Sequence, residues 1–410
     1  MVGMPSGSTL SIGALRSRVP PALAVAFACF VGLGLYDGTL GTAWPSIRRS
    51  LSLPVGDLGL VQLAGTAGFL CSSAISGRIS ARVGRARALA AAAALGAGAL
   101  AAYAASPGTA VLLLAAGLVG VAAGHLEPGM QSHVALTARA RGMNLLHACY
   151  GIGATAGPLL ISMLLVLGWS WRLAYLVLLG VDLAVALAVL RQRDEFDATT
   201  PSEPAASASR SHPGRHTTEA QSRLPRAALA TSLSLFFVYC GVEVGTGQWA
   251  FTFFTVSRHL DAGLAGLLVA GYWGSLTLAR LGTAALGERV APELMLTLSA
   301  GGALVGEALL LWEPVTAVGA VGLLLTGASL APVFPLMMTR TASWAGTARV
   351  SSVIGWQSAA AGIGVALPSA LAGLLIERFG LGALMPYLWA LAVLFLLLQL
   401  TALRTQGRRS

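Results

Sequence analysis

Charged residues are scarce in this chain. Only 10% of its 410 residues are charged, whereas 56% are hydrophobic, and the mean hydropathy is +0.75. A soluble domain is roughly 25% charged, and a soluble fold of this length could not cover its surface with so few charges. The sequence therefore predicts a protein that crosses a membrane many times.

Lysine is absent, and all 26 basic residues are arginine. The net charge of +10 has the sign that nucleic acid attracts. A protein that binds nucleic acid carries its basic residues clustered on one soluble face. The arginines of this chain instead lie between apolar segments. We therefore expect no nucleic-acid partner.

Sequence patterns of enzymes and ATP-driven pumps are also absent. The chain has no H-E-x-x-H pattern, no G-x-S-x-G nucleophile elbow and no G-x4-G-K-[ST] phosphate loop. Its four cysteines lie in apolar segments without the spacing of a metal site: Cys29, Cys71, Cys149 and Cys240. We expect neither an enzyme nor a cofactor or metal, and an ion gradient is the expected source of energy.

Twelve apolar segments are long enough to cross a bilayer, which takes about 20 residues of helix. They cover residues 21–45, 56–77, 87–106, 108–130, 142–168, 171–191, 226–255, 262–286, 291–312, 314–338, 349–376 and 381–403. The stretch 192–225 is polar and rich in Ser, Pro and Thr, which predicts a flexible linker. The predicted architecture is all-α, with a six-helix bundle in 1–191 and a second in 226–410.

The arginines also predict the orientation. The termini, the linker and the loops on the same side carry 21 arginines, and the opposite side carries five. An excess of positive charge marks the cytoplasmic side. We therefore expect both termini and the linker to be cytoplasmic. We also expect the protein to be a monomer, surrounded by lipid, in the inner membrane of a bacterium.

The two halves share a weak internal repeat. Four residues recur after 207 positions, Leu53, Gly56, Gly59 and Leu60 as Leu260, Gly263, Gly266 and Leu267, and Arg82 recurs as Arg289. Asp37 in the first helix precedes Glu243 in the seventh by 206 positions. Such a repeat predicts two pseudo-symmetric bundles with a binding site between them.

One motif carries a family resemblance. The segment Gly77-Arg-Ile-Ser-Ala81-Arg82-Val-Gly84-Arg85 resembles the G-x-x-x-D-R-x-G-R pattern between helices 2 and 3 of the major facilitator superfamily. Ala81 replaces the usual acid, whereas the second half retains an acid in Glu288-Arg289 and loses the first glycine. The resemblance implies a latch on the cytoplasmic side, formed by Gly77, Arg82, Gly84, Arg85, Glu288 and Arg289.

A second resemblance concerns the acids. Asp37, Leu126-Glu127 and Arg141-Gly-Met-Asn144 resemble segments of the fucose:proton symporter branch of that superfamily. The resemblance implies that the acids in helices 1 and 4 serve in proton coupling and sugar binding. The usual polar positions of helix 5 are replaced here by His147 and Tyr150.

Ionisable residues inside membrane segments are costly and mark functional sites by default. The predicted proton-coupling residues are Asp37, Glu127 and Glu243. Asn144, His147 and Tyr150 recur every three residues, so they lie roughly along one helix face. The predicted substrate-binding residues are Tyr36, Asn144, His147, Tyr150, Gln248, Trp249, Trp356 and Gln357. Asp182 and Glu307 lie in the predicted helices 6 and 9 and receive no function from the sequence.

The leading hypothesis is a secondary transporter that moves a small, polar, sugar-like solute by alternating access, in symport with protons. One alternative is a proton-driven exporter of a drug-like or secondary metabolite, which predicts a wide apolar cavity. A narrow cavity ringed by polar groups would favour the small solute. An alternative of another class is a membrane sensor or scaffold that does not transport.

Overall fold

The computed structural model describes residues 20–198, 226–286, 289–345 and 349–407. Within these ranges every regular element is helical, and twelve helices are long and apolar enough to cross a membrane. They are α1 (Pro21–Leu51), α2 (Asp57–Val83), α3 (Arg85–Ala104), α4 (Thr109–Ala138), α5 (Gly142–Val166), α6 (Arg172–Arg191), α7 (Arg226–Ser257), α8 (Ala262–Thr283), α9 (Pro292–Trp312), α10 (Thr316–Thr341), α11 (Ser352–Phe379) and α12 (Leu381–Arg404). The predicted all-α class and the twelve spans are confirmed.

The two halves pack in the same way. In the first half α1 lies beside α5, α2 beside α4, and α3 beside α6. In the second half α7 lies beside α11, α8 beside α10, and α9 beside α12. Each pair of the second half is the counterpart of a first-half pair shifted by six helices, as a duplicated bundle requires.

Glycines allow these helices to approach closely. A Cβ added at Gly34 would overlap the backbone of Tyr150 on α5, and one at Gly120 would overlap the backbone of Gly65 on α2. Small residues at membrane helix crossings allow backbones to touch. The glycine-rich composition is thus explained in part by the helix pairs of each half.

The connection between α4 and α5 differs from the sequence prediction. The predicted segments leave a gap between residues 130 and 142, but the backbone is helical from Thr109 to Val166. The two spans nevertheless run in opposite directions, because α4 lies parallel to α2 while α5 lies parallel to α1.

The first residues of the predicted linker are helical. Residues Arg193–Ala198 form a short helix that packs on the first half. Phe196 is fully buried, and its ring centroid lies 4.6 Å from that of His133. Glu195 accepts a hydrogen bond from the backbone N–H of Ala22 at the start of α1 (3.2 Å). A carboxylate at a helix N-terminus is stabilising. Residues 199–225 lie outside the described residues.

We name the side of the molecule that carries the α6–α7 connection the linker face, and the opposite side the far face. The halves meet through α1 with α7, α2 with α11, and α5 with α8. Near the far face, the N–H of Gly56 donates to Glu377 Oε1 across the halves (3.2 Å). Contacts between α2 and α11 continue to Leu70 and Gly362, midway along both helices.

The halves separate toward the linker face. An added Cβ at Gly77 of α2 or at Gly355 of α11 would meet no atom within 4 Å. Ile75, Ile79 and Trp356, which lie on the same helix portions, are exposed. The bundle is therefore closed at the far face and divergent at the linker face.

Glycine packing gives a matched test on α11. A Cβ at Gly364 would lie 2.8 Å from the Cα of Phe237, whereas one at Gly355 would meet nothing. We expect Gly364→Ala to lower the free energy of unfolding by about 1–3 kcal/mol through overpacking. Gly355→Ala should leave it unchanged or raise it, because alanine favours helix. Thermal unfolding of the purified proteins in detergent measures both, and equal melting temperatures would contradict the packing assigned to α7 and α11.

Candidate functional site

A cavity of about 210 Å³ lies inside the first half and is closed on one side by α11. Its acidic lining residues are Asp37, Glu127 and Asp182. Its other polar and aromatic lining residues are Tyr36, Gln62, Thr66, Phe69 and Tyr150. Small and apolar residues, among them Gly362 and Val365 of α11, complete the wall. The structure thus brings four residues of the predicted site, Tyr36, Asp37, Glu127 and Tyr150, into one cavity.

Asp37 is held by neutral donors. The hydroxyl of Tyr150 on α5 donates to Asp37 Oδ2 at 2.6 Å. The side-chain amide of Gln248 on α7 donates to the backbone carbonyl of Asp37 at 2.9 Å, which links the two halves at this residue. Gly41, one turn after Asp37, provides the space, since an added Cβ there would lie 2.6 Å from Gln248 Oε1.

Glu127 lies across the cavity on α4. Its Oε1 accepts a hydrogen bond from Gln131, one turn later, at 3.0 Å. Pro128 follows it directly and lies inside the helix. Proline lacks the N–H that would bond to the carbonyl four residues earlier, so the carbonyl of Gly124 receives no bond from residue 128. Like Asp37, Glu127 has a neutral hydrogen-bond donor as its partner.

Glu243 lies in a different environment, in the second half, and does not line the cavity. Tyr239 donates its hydroxyl to Glu243 Oε2, and Arg280 on α8 places its guanidinium 3.9 Å from the same oxygen. The hydroxyl of Tyr272 donates to the backbone carbonyl of Glu243 at 2.7 Å. The predicted third coupling acid is therefore a member of an ion pair.

Arg280 was missed as a site residue by sequence reasoning, which counted it among the loop arginines. It lies inside α8 and also donates from Nε to the carbonyl of Ala331 at 3.1 Å. In a regular helix that carbonyl would accept from residue 335, but Pro335 has no N–H. The helix of α10 is interrupted at residues 331 and 332. The sequence signal that could have identified Arg280 was an arginine inside an apolar segment, together with Pro332 and Pro335 in a later apolar segment.

The remaining predicted substrate residues lie elsewhere. Gln357 is fully buried and bonds Ser232 (2.7 Å) and Thr341 (3.0 Å), so it joins α7, α10 and α11 rather than the cavity. His147 packs edge-to-face on Phe30 with ring centroids 6.0 Å apart. Four further positions are distributed along the bundle: Asn144 and Trp356 are exposed, whereas Gln248 and Trp249 are buried.

The predicted latch motif surrounds the α2–α3 connection on the linker face. Gly84 has φ of +90°, a conformation that favours glycine, and it ends α2 and begins α3. Arg85 is buried and reaches Ser132 on α4 at 3.5 Å. A carboxylate lies near this connection, because Asp197 of the short helix accepts a hydrogen bond from the backbone N–H of Ala86 at 2.9 Å.

The other motif positions form no comparable cluster. Gly77 and Arg82 are exposed on α2, and Arg289 is exposed between α8 and α9. Glu288 lies outside the described residues. The described part of the motif therefore organises the α2–α3 turn within the first half.

Comparisons with known proteins agree on the fold. The family model described as Major Facilitator Superfamily matches residues 24–326. The structure of a mutant nucleoside transporter NupG is 15% identical, covers 94% of this chain and 99% of its own, and gives a TM-score of 0.73. The peptide transporter POT in complex with sulfate is 14% identical, covers 96% of each chain, and also gives 0.73.

A third solved structure is that of the human organic anion transporter MFSD10, which is 15% identical, covers 93% of this chain and 100% of its own, and gives a TM-score of 0.62. No curated protein matches the chain by sequence. At these identities the similarity shows the fold alone. The solutes named for these three transporters differ, so the comparisons do not identify the solute of this chain.

The Glu243–Arg280 pair gives a test of coupling between two charges. Arg280→Gln leaves the Glu243 carboxyl without its cation, and we expect the free energy of unfolding to fall by about 1–3 kcal/mol. Adding Glu243→Gln removes the unpaired charge, so the double variant should recover part of this loss. Thermal unfolding of the four proteins completes the cycle. Strictly additive losses would show that the two groups do not interact.

Proposed function

Because the chain belongs to the Major Facilitator Superfamily, whose members are transporters, we propose that it is a secondary transporter that moves a small, polar, sugar-like solute together with protons. Alternating access of the two six-helix halves would carry the solute from one face to the other. The observation that supports this proposal best is the cavity that holds Asp37 and Glu127 together.

The environment of these acids suits proton coupling. Among the described residues, the side chains that bond them are the neutral groups of Tyr150 and Gln131. A carboxylate kept away from water without a cation is costly, so it takes up a proton or a cation. When the cavity opens to water the charged form regains its hydration. Opening and closing of the cavity can therefore drive proton binding and release at Asp37 and Glu127.

The size and lining of the cavity support a small solute. Its volume of about 210 Å³ is below the range of roughly 300–1,000 Å³ that is typical of drug-sized ligands. Gln62, Thr66 and the two tyrosines offer donors and acceptors for hydroxyl groups. These features favour the sugar-like solute over the drug-like one. A sensor or scaffold would have no need of buried acids at this place.

The arginine distribution supports an orientation with the linker face toward the cytoplasm of a bacterial cell, since positive charge concentrates on that side. The divergence of the halves at the linker face would then make this conformation inward-facing. The Gly56–Glu377 contact would close the outer side and would have to open for the solute to exchange there. The proposed unit of transport is a monomer within lipid, since each chain supplies both halves.

Proton coupling is tested with proteoliposomes that contain the dye pyranine, to which L-fucose, glucose and glucosamine are added in turn. We expect at least one solute to drive proton movement, and Asp37→Asn or Glu127→Gln to abolish it. Exchange of labelled solute across the membrane should persist in both variants, because exchange needs no net release of protons. Asp194→Asn, at an exposed carboxylate paired with Arg193, is the matched control and should behave as the wild type.

Loss of exchange together with proton movement in a folded Glu127→Gln variant would contradict the coupling role, since it would indicate that the residue is needed for binding or structure. Proton movement that survives in both variants would refute it directly.

Orientation is tested by thiol labelling. Asn144 is exposed near the linker-face end of α5. Cys71 is the exposed native cysteine, so it is first replaced in a Cys71→Ser background. We expect Asn144→Cys to react with a membrane-impermeant maleimide in inside-out vesicles and to be protected in intact cells. Labelling in intact cells instead would place the linker face outside the cytoplasm.

A further inference from the structure

The third carboxyl group of the cavity comes from an outer helix. Asp182 lies on α6, which packs against α3 on the side away from the other half. It lines the cavity together with Leu178, one turn earlier on the same helix face. Sequence analysis assigned no function to this acid. The structure shows how it reaches the interior.

A glycine opens the way for this side chain. Gly96 on α3 stands between α6 and α4, and a Cβ added there would overlap Asp182 Oδ2 and lie 3.2 Å from the Cβ of Ala122, which also lines the cavity. Without a side chain at position 96, the Asp182 carboxyl passes α3 and enters the space between α3 and α4. Gly98, two residues later, is exposed and would meet nothing within 4 Å.

Asp182 differs from the other two acids in its partners. Asp37 is bonded by Tyr150, and Glu127 by Gln131. Among the described residues, no hydrogen bond or ion pair reaches the Asp182 carboxyl. No arginine or histidine is among the described residues that line the cavity. The cavity therefore presents three carboxyl groups and no cation of its own.

Glu243, an acid of the second half, is compensated by a cation. Glu243 has the guanidinium of Arg280 at 3.9 Å, and that guanidinium is also bonded to the Ala331 carbonyl. Arg280 is thus engaged within the second half and does not line the cavity. An anionic solute would meet only carboxyl groups there, whereas a cationic group would find an unpaired acid and three aromatic rings, Tyr36, Phe69 and Tyr150, that can face it.

We propose that the transported solute carries a protonated amine and that Asp182 binds this ammonium group. The inference rests on the proposed transport function and specifies its substrate class. Asp37 and Glu127 then retain the proton-coupling role, Gln62 and Thr66 bond the hydroxyl groups of the solute, and Asp182 selects for the positive charge. A cation that enters the cavity neutralises the charge that the chain itself leaves without a partner.

The test uses pairs of compounds that differ by one amine. They are glucosamine with glucose, ethanolamine with ethylene glycol, and putrescine with 1,4-butanediol. Binding to the purified full chain is measured by tryptophan fluorescence and by the shift in melting temperature. For at least one pair we expect the amine to bind at least about tenfold more tightly than its neutral partner, a factor that corresponds to 1.4 kcal/mol.

The variants assign this preference to Asp182. Asp182→Asn should remove the preference while the affinity for the neutral partner stays the same, and Asp182→Glu should retain part of it. Gly96→Ala should also weaken amine binding, because the new Cβ displaces the Asp182 carboxyl. Gly98→Ala on the same helix is the matched control and should bind as the wild type. The melting temperature of each unliganded variant shows that it is folded.

Three results would overturn the inference: no amine of the panel binds, a neutral partner binds as tightly as its amine, or the preference survives in both Asp182→Asn and Gly96→Ala. These results are distinguishable from failure of the proposed function. If a neutral sugar drives proton movement through Asp37 and Glu127 and one of these three results is found, the transport proposal stays intact and only the amine is refuted. The absence of proton movement with any solute would refute the coupling instead.

Discussion

A carboxyl group inside a lipid-embedded bundle has to be compensated by a proton, a cation or strong donors. The two halves meet this constraint in different ways. In the first half Asp37 and Glu127 are bonded by neutral side chains, and no side chain in the described part of the chain bonds Asp182, whereas in the second half Glu243 faces Arg280. In the second half Glu307 is also buried with a neutral donor, the Thr246 hydroxyl (2.6 Å), but it does not line the cavity. We infer that the acids of the cavity, in the first half, are the ones that exchange cations with their surroundings. The second half holds a fixed pair of opposite charge.

The fixed pair is also connected to the backbone. Inside a membrane each carbonyl needs an internal donor, and Pro335 removes the donor that the Ala331 carbonyl would have in a continuous helix. Arg280 supplies it and also faces Glu243. One guanidinium therefore links α7, α8 and the interruption of α10. Arg280 thus compensates both the charge of Glu243 and the free carbonyl of Ala331. These two contacts explain why an arginine lies inside an apolar helix.

The two faces of the molecule are held by different contacts. At the far face the Gly56 N–H bonds Glu377 from the other half, so this contact exists only while that face is closed. At the linker face the carboxyl groups of Glu195 and Asp197 bond the first turns of α1 and α3, within one half. These bonds can persist when the halves move apart. Asp197 also supplies a carboxylate near the α2–α3 turn, in the motif where this chain has Ala81 instead of the family's acid.

The sequence alone determined the twelve spans and the all-helical class, because lipid requires long apolar helices and the polar stretches between them are easily recognised. It also identified Asp37 and Glu127 as costly intramembrane acids. Only the tertiary structure decided which polar residues share a cavity. Asp182 enters it because Gly96 lacks a side chain, and Gln357 is absent from it because Ser232 and Thr341 bind its amide. Such outcomes depend on the rotation and crossing of helices that are distant in sequence, and hydropathy contains no information about either.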